Sequence, residues 1–340
     1  MTIDGHRLIQ LAARKSYIAN RMTITELIES VRRIEVRTNR LVNDTMVGAY
    51  LSHFKGRGMD FEELREYMPG DEVRDIDWNV TYRMGRPFVK RYREERELAM
   101  VLAVDVSASS AFGSLRRTKR EFAAEIAGTL AMSASRSSDK VALLLFSDQV
   151  ELYLPPRKGR RHILRLIREM LNFEPKHRGT NIPAALAFVN HVLNRRSILF
   201  LITDFLHSFG QATGCSPQST GHGLQSTVHS PADRDVIQEI GLTNAHHDVV
   251  CVHLHDPRES ELPAAGLLTI EDAETSELLE VDSSRAAVRD KFARTNAERL
   301  AELDRALRRA GVDTLSFSTA GSFAQVLQAF FETRRGRRRG

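Results

Sequence analysis

From Leu98 onward the chain alternates apolar, strand-like runs with amphipathic stretches, and this alternation restricts the architecture more than any other property of the sequence. The apolar runs are LAMVLAVD ending at Asp105, KVALLLFS over 140–147, RSILFLITD ending at Asp204, HDVVCVHLHD over 247–256 and VDTLSFST over 312–319. Helix-like stretches lie at 115–135, 159–172, 182–194, 286–310 and 322–333. Strands separated by crossover helices predict a doubly wound α/β fold, a mainly parallel sheet flanked by helices on both faces. Ligands of such sheets bind at the carboxyl ends of the strands, where the strand order reverses.

The run MVLAVDVSASS, residues 100–110, places a carboxylate and a fan of hydroxyls at one such end. Unpaired polar groups there would cost free energy, so the segment requires a partner for them. In an extended loop, positions i, i+2 and i+4 point the same way, which lets Asp105, Ser107 and Ser109 converge. Two further pieces fall on the same predicted edge: Thr180, in the loop Arg178-Gly179-Thr180-Asn181 before a helix, and Asp204, at the end of another strand. Such oxygen donors suit a hard cation, Mg²⁺ or Mn²⁺, with Ser107 and Ser109 as direct ligands and Thr180, Asp105 and Asp204 completing the set directly or through water. Two carboxylates only balance a divalent ion, so an acidic residue from another molecule is attracted to any open position. The bland reading of Asp105, Ser107 and Ser109 is a helix N-cap cluster, which leaves Thr180 and Asp204 unexplained.

The order Asp-x-Ser-x-Ser, then Thr after Gly, then Asp at a strand end, resembles the metal-ion-dependent adhesion site of von Willebrand factor A domains, over residues 98–335. The preceding FEELREYMPGDEVRDIDWNVTYRMGRPFVKRYREERE, followed directly by a strand and DVSAS, resembles the signature of the bacterial domain of unknown function 58 family. HDVVCVHLHDPRESELPAAGLLTIEDAETSELLEVD resembles that family's carboxyl half. The resemblance implies a von Willebrand factor A-like domain and a cytoplasmic adaptor or chaperone-like role beside a MoxR-type AAA+ ATPase. The family's DxSxSM ends here in Ser110, which leaves the ligand positions intact.

Residues 1–97 read as an N-terminal extension, with an amphipathic helix within 22–45 and then short elements and turns at Pro69-Gly70 and Gly85-Arg86-Pro87. Within it, Arg74, Asp75, Asp77 and Trp78 read as a salt-bridge turn whose tryptophan packs on the main domain, with a recognition surface as the alternative. Residues 209–231, rich in Gly, Ser, Thr, Gln and His, read as a flexible insertion. LLTIEDAETSELLEV reads as a hairpin around an acidic turn. The net charge is +5, and the arginines of the terminal RRGRRRG account for the whole surplus. That leaves a neutral body with a solvated basic tail, 336–340, and argues against specific nucleic-acid binding. No run approaches the roughly 20 apolar residues of a membrane span, and the N-terminus lacks a signal-peptide core, so a cytoplasmic protein is expected. The two cysteines, Cys215 and Cys251, cannot build a disulfide framework. Cys251, His253 and His255 read as structural residues of a strand, and Gly56-Arg57-Gly58 lacks the lysine of a phosphate loop.

An enzyme is the competing class, as a metal-dependent phosphoester hydrolase. A haloacid-dehalogenase-type phosphatase needs an acid two residues after its aspartate, where this chain has Ser107, and no Ser-His-Asp or HExxH pattern is apparent. The sequence therefore favours a binding module over a catalyst.

Overall fold

The computed structural model describes residues 29, 32–34, 59–94, 99–114, 117–206, 231–274 and 276–337. Most of the helix expected within 22–45, the Gly56–Gly58 loop, Cys215 and all but the last residue of the 209–231 insertion lie outside the described residues.

The first described unit is a hairpin. Strands β1 (Met59–Glu66) and β2 (Phe88–Glu94) pair antiparallel, and helix α1 (Trp78–Met84) lies in the connection. Asp77 caps α1 by accepting from Asn79 N and Val80 N, and it pairs with Lys90 at 3.0 Å. Gly85 ends the helix at φ 70°, the left-handed conformation that suits glycine. Of the expected ionic turn, Asp77 is ion-paired, its partner being Lys90 of β2. The expected burial of the tryptophan is absent: Trp78 is 65% exposed and Tyr82 90% exposed. The cap places Trp78 at the first helical position, with Met84 and Val73 also exposed.

The remaining elements are β3 (Ala99–Asp105), α2 (Lys119–Arg136), β4 (Lys140–Phe146), β5 (Val150–Arg157), α3 (Arg160–Asn172), α4 (Ile182–Val192), β6 (Ile198–Thr203), α5 (Pro231–His246), β7 (Asp248–His255), α6 (Pro257–Ser260), β8 (Leu267–Glu271), β9 (Leu278–Asp282), α7 (Ala286–Arg309), β10 (Asp313–Ser318) and α8 (Phe323–Arg337). Six strands form one sheet in the order β10-β7-β6-β3-β4-β5, parallel except for β5. Alternate residues of the central strands feed two cores. Met100, Leu102 and Val104 join Phe122, Leu166 and Leu327 of α2, α3 and α8 on one face. Val101 and Ala103 join Leu186, Ile240 and Leu307 of α4, α5 and α7 on the other. Burial on both faces is what makes these strands unbroken apolar runs.

Two elements were not expected from the sequence. Strand β5, VELYLPPR, carries Pro155 and Pro156, which a central strand would not tolerate; it sits at the sheet edge, where a missing N–H donor is harmless. Helix α5 contributes few buried residues, Val236 and Ile240 among them, and carries Gly241 in its interior. The hairpin expected around the acidic turn is present as β8 and β9. It is held on Phe292 of α7 by Ile270, Val281, Leu206 and Leu262.

Residues 338–340 of the basic tail lie outside the described residues. Helix α8 extends to Arg337, and Arg334 is buried, bonded to Asp248 at 2.9 Å and to Asp313. It thereby ties the end of α8 to the starts of β7 and β10. Removing one partner of a fully buried ion pair costs about 3–5 kcal/mol, but these carboxylates stay partly exposed. Arg334→Ala is therefore expected to lower the unfolding free energy by about 2 kcal/mol in denaturant titration. A loss below about 0.5 kcal/mol, the usual range for surface substitutions, would show that the anchor is idle.

Candidate metal centre

The strand order reverses at β3, which has β4 on one side and β6 on the other, so the crevice of the fold opens between the carboxyl ends of β3 and β6. Asp105 ends β3 and is 4% exposed. Its Oδ2 accepts from Thr203 Oγ1 of β6 at 2.6 Å, and its Oδ1 accepts from Ser107 N at 2.8 Å. The second bond is an Asx turn, which folds the chain into the short 3-10 segment Ala108–Ala111. Ser110 Oγ then donates to Ser107 O at 2.7 Å. The result brings Ser107 Oγ and Ser109 Oγ to 3.0 Å from each other, both buried.

Asp204 follows β6 directly. Phe205, next to it, is buried at φ 51°, a left-handed conformation that costs a non-glycine residue about 1 kcal/mol. Its carbonyl accepts from the buried Arg299 of α7 at 3.2 Å, which secures the turn. Asp204 Oδ1 accepts from Leu206 N at 3.1 Å. Its Oδ2 meets the ammonium of Lys119 at 2.5 Å. Lys119 is 1% exposed and reaches Glu259 Oε1 at 2.5 Å as well. Glu259 is in turn fixed by the capping box of α6, where its Oε2 accepts from Asp256 N at 2.9 Å. A cavity of about 10 Å³, room for one water-sized body, lies against Asp105, Lys119, Thr203 and Asp204.

These contacts set the charges. Burial works against the Asp204 carboxylate, but the Lys119 ammonium overcomes it and holds Asp204 ionised down to about 2. Burial also works against Lys119, and its two carboxylates hold it charged. Burial raises Glu259. Asp105 is pushed up to about 7, by burial first and by the Asp204 charge second, against the hydrogen bonds from Ser107 and Thr203. With all three ionised, Asp105, Asp204 and Glu259 outnumber the buried cations Lys119 and Arg299 by one charge, an excess that Asp105 relieves by binding a proton at pH values below about 7. His253 adds no charge, since burial takes it down to about 3.

Of the five expected residues, the structure joins Asp105, Ser107 and Ser109 through direct hydrogen bonds, and Asp204 lines the same cavity as Asp105. Thr180 is brought near by its loop: Arg178 O accepts from Ala108 N at 2.9 Å, and Asn181 N donates to Ser147 O at 2.8 Å while its side chain caps α4. The Thr180 hydroxyl donates to Glu274 Oε1, at 3.3 Å, in the β8–β9 turn. Glu274, Lys119, Glu259 and Thr203 were not singled out from the sequence. Lys119 did leave a signal: Lys119 and Arg120 open a helix, where the dipole disfavours cations unless they are paired. The Asp256-Pro-Arg-Glu259 spacing is likewise a capping-box pattern.

The donor set fits a small hard cation. Adjacent ligands of an octahedral ion with bonds of about 2.1 Å stand about 3.0 Å apart, the separation of the Ser107 and Ser109 hydroxyls. The excess negative charge beside them is the compensation a cation requires. Asp204, already bonded to Lys119, fits as a carboxylate acting through water. Among the described residues no group of three or more His, Cys, Asp or Glu side chains is arranged for a metal, so the candidate depends on the hydroxyls. Cys251, His253 and His255 take the structural role expected of them: Cys251 and His253 are buried, and the imidazoles stack at 5.4 Å.

The profile of the family described as "Protein of unknown function DUF58" matches residues 63–302. An uncharacterized protein of Mycobacterium tuberculosis is 29% identical over 313 residues, covering 91% of this chain and 90% of its own. Among solved structures, the conserved hypothetical protein BatB from Bacteroides thetaiotaomicron aligns over 70% of this chain and 98% of its own, with 11% identity and a TM-score of 0.41. A von Willebrand factor type A protein from Catenulispora acidiphila aligns over 70% of this chain and 42% of its own, with 12% identity and a TM-score of 0.35. At these values the structural likeness adds nothing to the topology described above. No helix among the described residues is long and apolar enough to cross a membrane.

The charges make stability pH-dependent with a definite sign. A carboxyl raised to about 7 in the fold, against about 3.9 unfolded, binds more protons folded than unfolded between those values, so stability falls as pH rises through them. His253, lowered in the fold, acts with the opposite sign below about 6.5. The difference between wild type and Asp105→Asn isolates the aspartate. In chelator-treated protein the wild type should lose up to about 1.4 kcal/mol per pH unit relative to the variant between about pH 4 and 7. Parallel profiles in urea titrations would contradict the burial of a charged Asp105.

Proposed function

The chain belongs to the DUF58 family, and from the site at its strand-order reversal we propose that it is a protein-interaction module whose binding depends on Mg²⁺ or Mn²⁺. The observation that carries this reading is the buried Ser107–Ser109 hydroxyl pair, 3.0 Å apart beside Asp105. Ser107 and Ser109 hold the ion directly, and Asp105, Asp204 and Thr180 complete the set. When bound, the ion supplies an open position that takes a Glu or Asp carboxylate from a partner.

The chain's own residues do the rest. Thr203 and the Ser107 amide orient Asp105, Lys119 keeps Asp204 ionised, and the sheet edge holds the hydroxyls in a buried setting where a charge-assisted contact is strong. Ser107 stands where a phosphatase would place its general acid, and its hydroxyl is engaged with Ser109, which favours binding over hydrolysis.

The partner we propose is a MoxR-type AAA+ ATPase, as the family resemblance implies, with this chain as its cytoplasmic adaptor or chaperone-like companion. A second contact surface is available on the β1–β2 unit, where Met68, Val73, Trp78, Tyr82 and Met84 are exposed. Exposed aromatic and methionine side chains are enriched at interfaces.

Binding to the ATPase should be retained with Mg²⁺ and lost with a chelator in a pull-down, and Asp105→Ala and Ser109→Ala should each weaken it by more than about tenfold. Binding unchanged by chelator and by both variants would overturn the metal bridge. Trp78, the chain's single tryptophan, should shift its emission to the blue and become shielded from acrylamide when the ATPase is added. An unaltered spectrum would remove the β1–β2 unit from the interface.

A further inference from the structure

The turn between β8 and β9 lies over the candidate centre. Ala273 packs with Phe112 and Ala108, on the loop that carries Ser107 and Ser109. Ser276 Oγ accepts from Arg178 at 2.9 Å, on the loop that carries Thr180. Between these contacts, Glu274 Oε1 accepts from the Thr180 hydroxyl at 3.3 Å. The turn is internally organised: Asp272 Oδ1 accepts from Glu274 N at 2.8 Å, and Asp272 N donates to Glu277 O at 2.8 Å. Ser276 occupies a left-handed conformation at φ 61°. The turn thus aims one carboxylate at a candidate metal ligand.

We propose that Glu274 is an internal acidic ligand of this centre, standing in the position a partner's carboxylate would take, so that partner binding requires the β8–β9 turn to withdraw. The inference rests on the metal-dependent reading above. The Thr180–Glu274 separation is close to the spacing of about 3.0 Å between neighbouring ligands of a small octahedral ion. It is long for an O–H···O bond, whose usual length is about 2.7–2.8 Å, so the contact is weak enough to exchange. The turn meets the crest through the Arg178–Ser276 and Thr180–Glu274 bonds and the small Phe112–Ala273 contact, whereas the strands behind it are anchored in their own core with Phe292. Withdrawal therefore needs no unfolding of the domain. Competition between an internal and an external carboxylate for one position gives the coupling its sign: removing Glu274 loosens the ion and admits the partner.

Mn²⁺ serves as the probe, with the full chain as wild type, Glu274→Gln, Glu274→Asp and Asp105→Asn. Calorimetric titration should show Mn²⁺ binding about tenfold more weakly to Glu274→Gln, a typical coupling between linked ligands, with affinity partly restored in Glu274→Asp. Water-proton relaxation should report more exchangeable water on Mn²⁺ in Glu274→Gln than in wild type. Free glutarate should displace that water about tenfold more readily in Glu274→Gln than in wild type. Equal Mn²⁺ affinity, relaxation and glutarate response in wild type and Glu274→Gln, with binding lost in Asp105→Asn, would overturn the internal ligand while leaving the metal centre standing. Absence of Mn²⁺ binding in the wild type would overturn both readings together.

Discussion

One ammonium organises the crest of this fold. Lys119 Nζ sits between Asp204 and Glu259, and through them it joins the start of α2 to the end of β6 and to the turn after β7. A buried ion pair gains little net stability after desolvation, but breaking one leaves an uncompensated charge, which costs about 3–5 kcal/mol. The arrangement therefore fixes geometry more than it adds stability. Asp204 stays ionised and turned toward the lysine, and Glu259 is locked by its capping box. Asp105, lacking a cation of its own, is the carboxyl that burial and the Asp204 charge push up to about 7.

The candidate centre gains its character from this imbalance. Ser107 and Ser109 lie beside Asp105 because an Asx turn and a 3-10 segment fold the chain just past β3. Asp204 lines the same cavity as Asp105 because β6 is the neighbour of β3 across the strand-order reversal. Thr180 comes from a loop that is hydrogen-bonded to the serine loop, and the β8–β9 turn lays Glu274 against it. In the proposed account, Lys119 satisfies the carboxylates behind the crest, a divalent ion satisfies those at the crest, and Glu274 and a partner compete for the outermost position.

The sheet was legible because its strands are buried on both faces. MVLAV, ALLLF and ILFLIT admit no polar residue until each strand ends, so their limits stand out in the sequence. Strand β5 was obscured by Pro155 and Pro156, whose cost depends on an edge position that only the assembled sheet reveals. The serine loop was legible because its residues are contiguous, and Asp204 because it ends an apolar run. Lys119 and Glu259 are 140 residues apart in the chain, and nothing local says that they share a carboxylate neighbour. Trp78 read as packing on the main domain, yet the capped helix α1 presents it to solvent. Arg334 was counted with the terminal arginines in the charge surplus, and nothing local says that Asp248 and Asp313 hold it in the body of the fold.

The central claim is that an ion belongs between the hydroxyls of the β3 loop, in addition to the ammonium behind them. A crystal structure of the full chain soaked in Mn²⁺, with data collected at the manganese edge, tests it most directly. The account predicts an anomalous peak bonded to Ser107 Oγ and Ser109 Oγ, with Lys119 still bridging Asp204 and Glu259. A saturating soak that leaves the two hydroxyls bonded to each other, with no anomalous density beside Asp105, would contradict it.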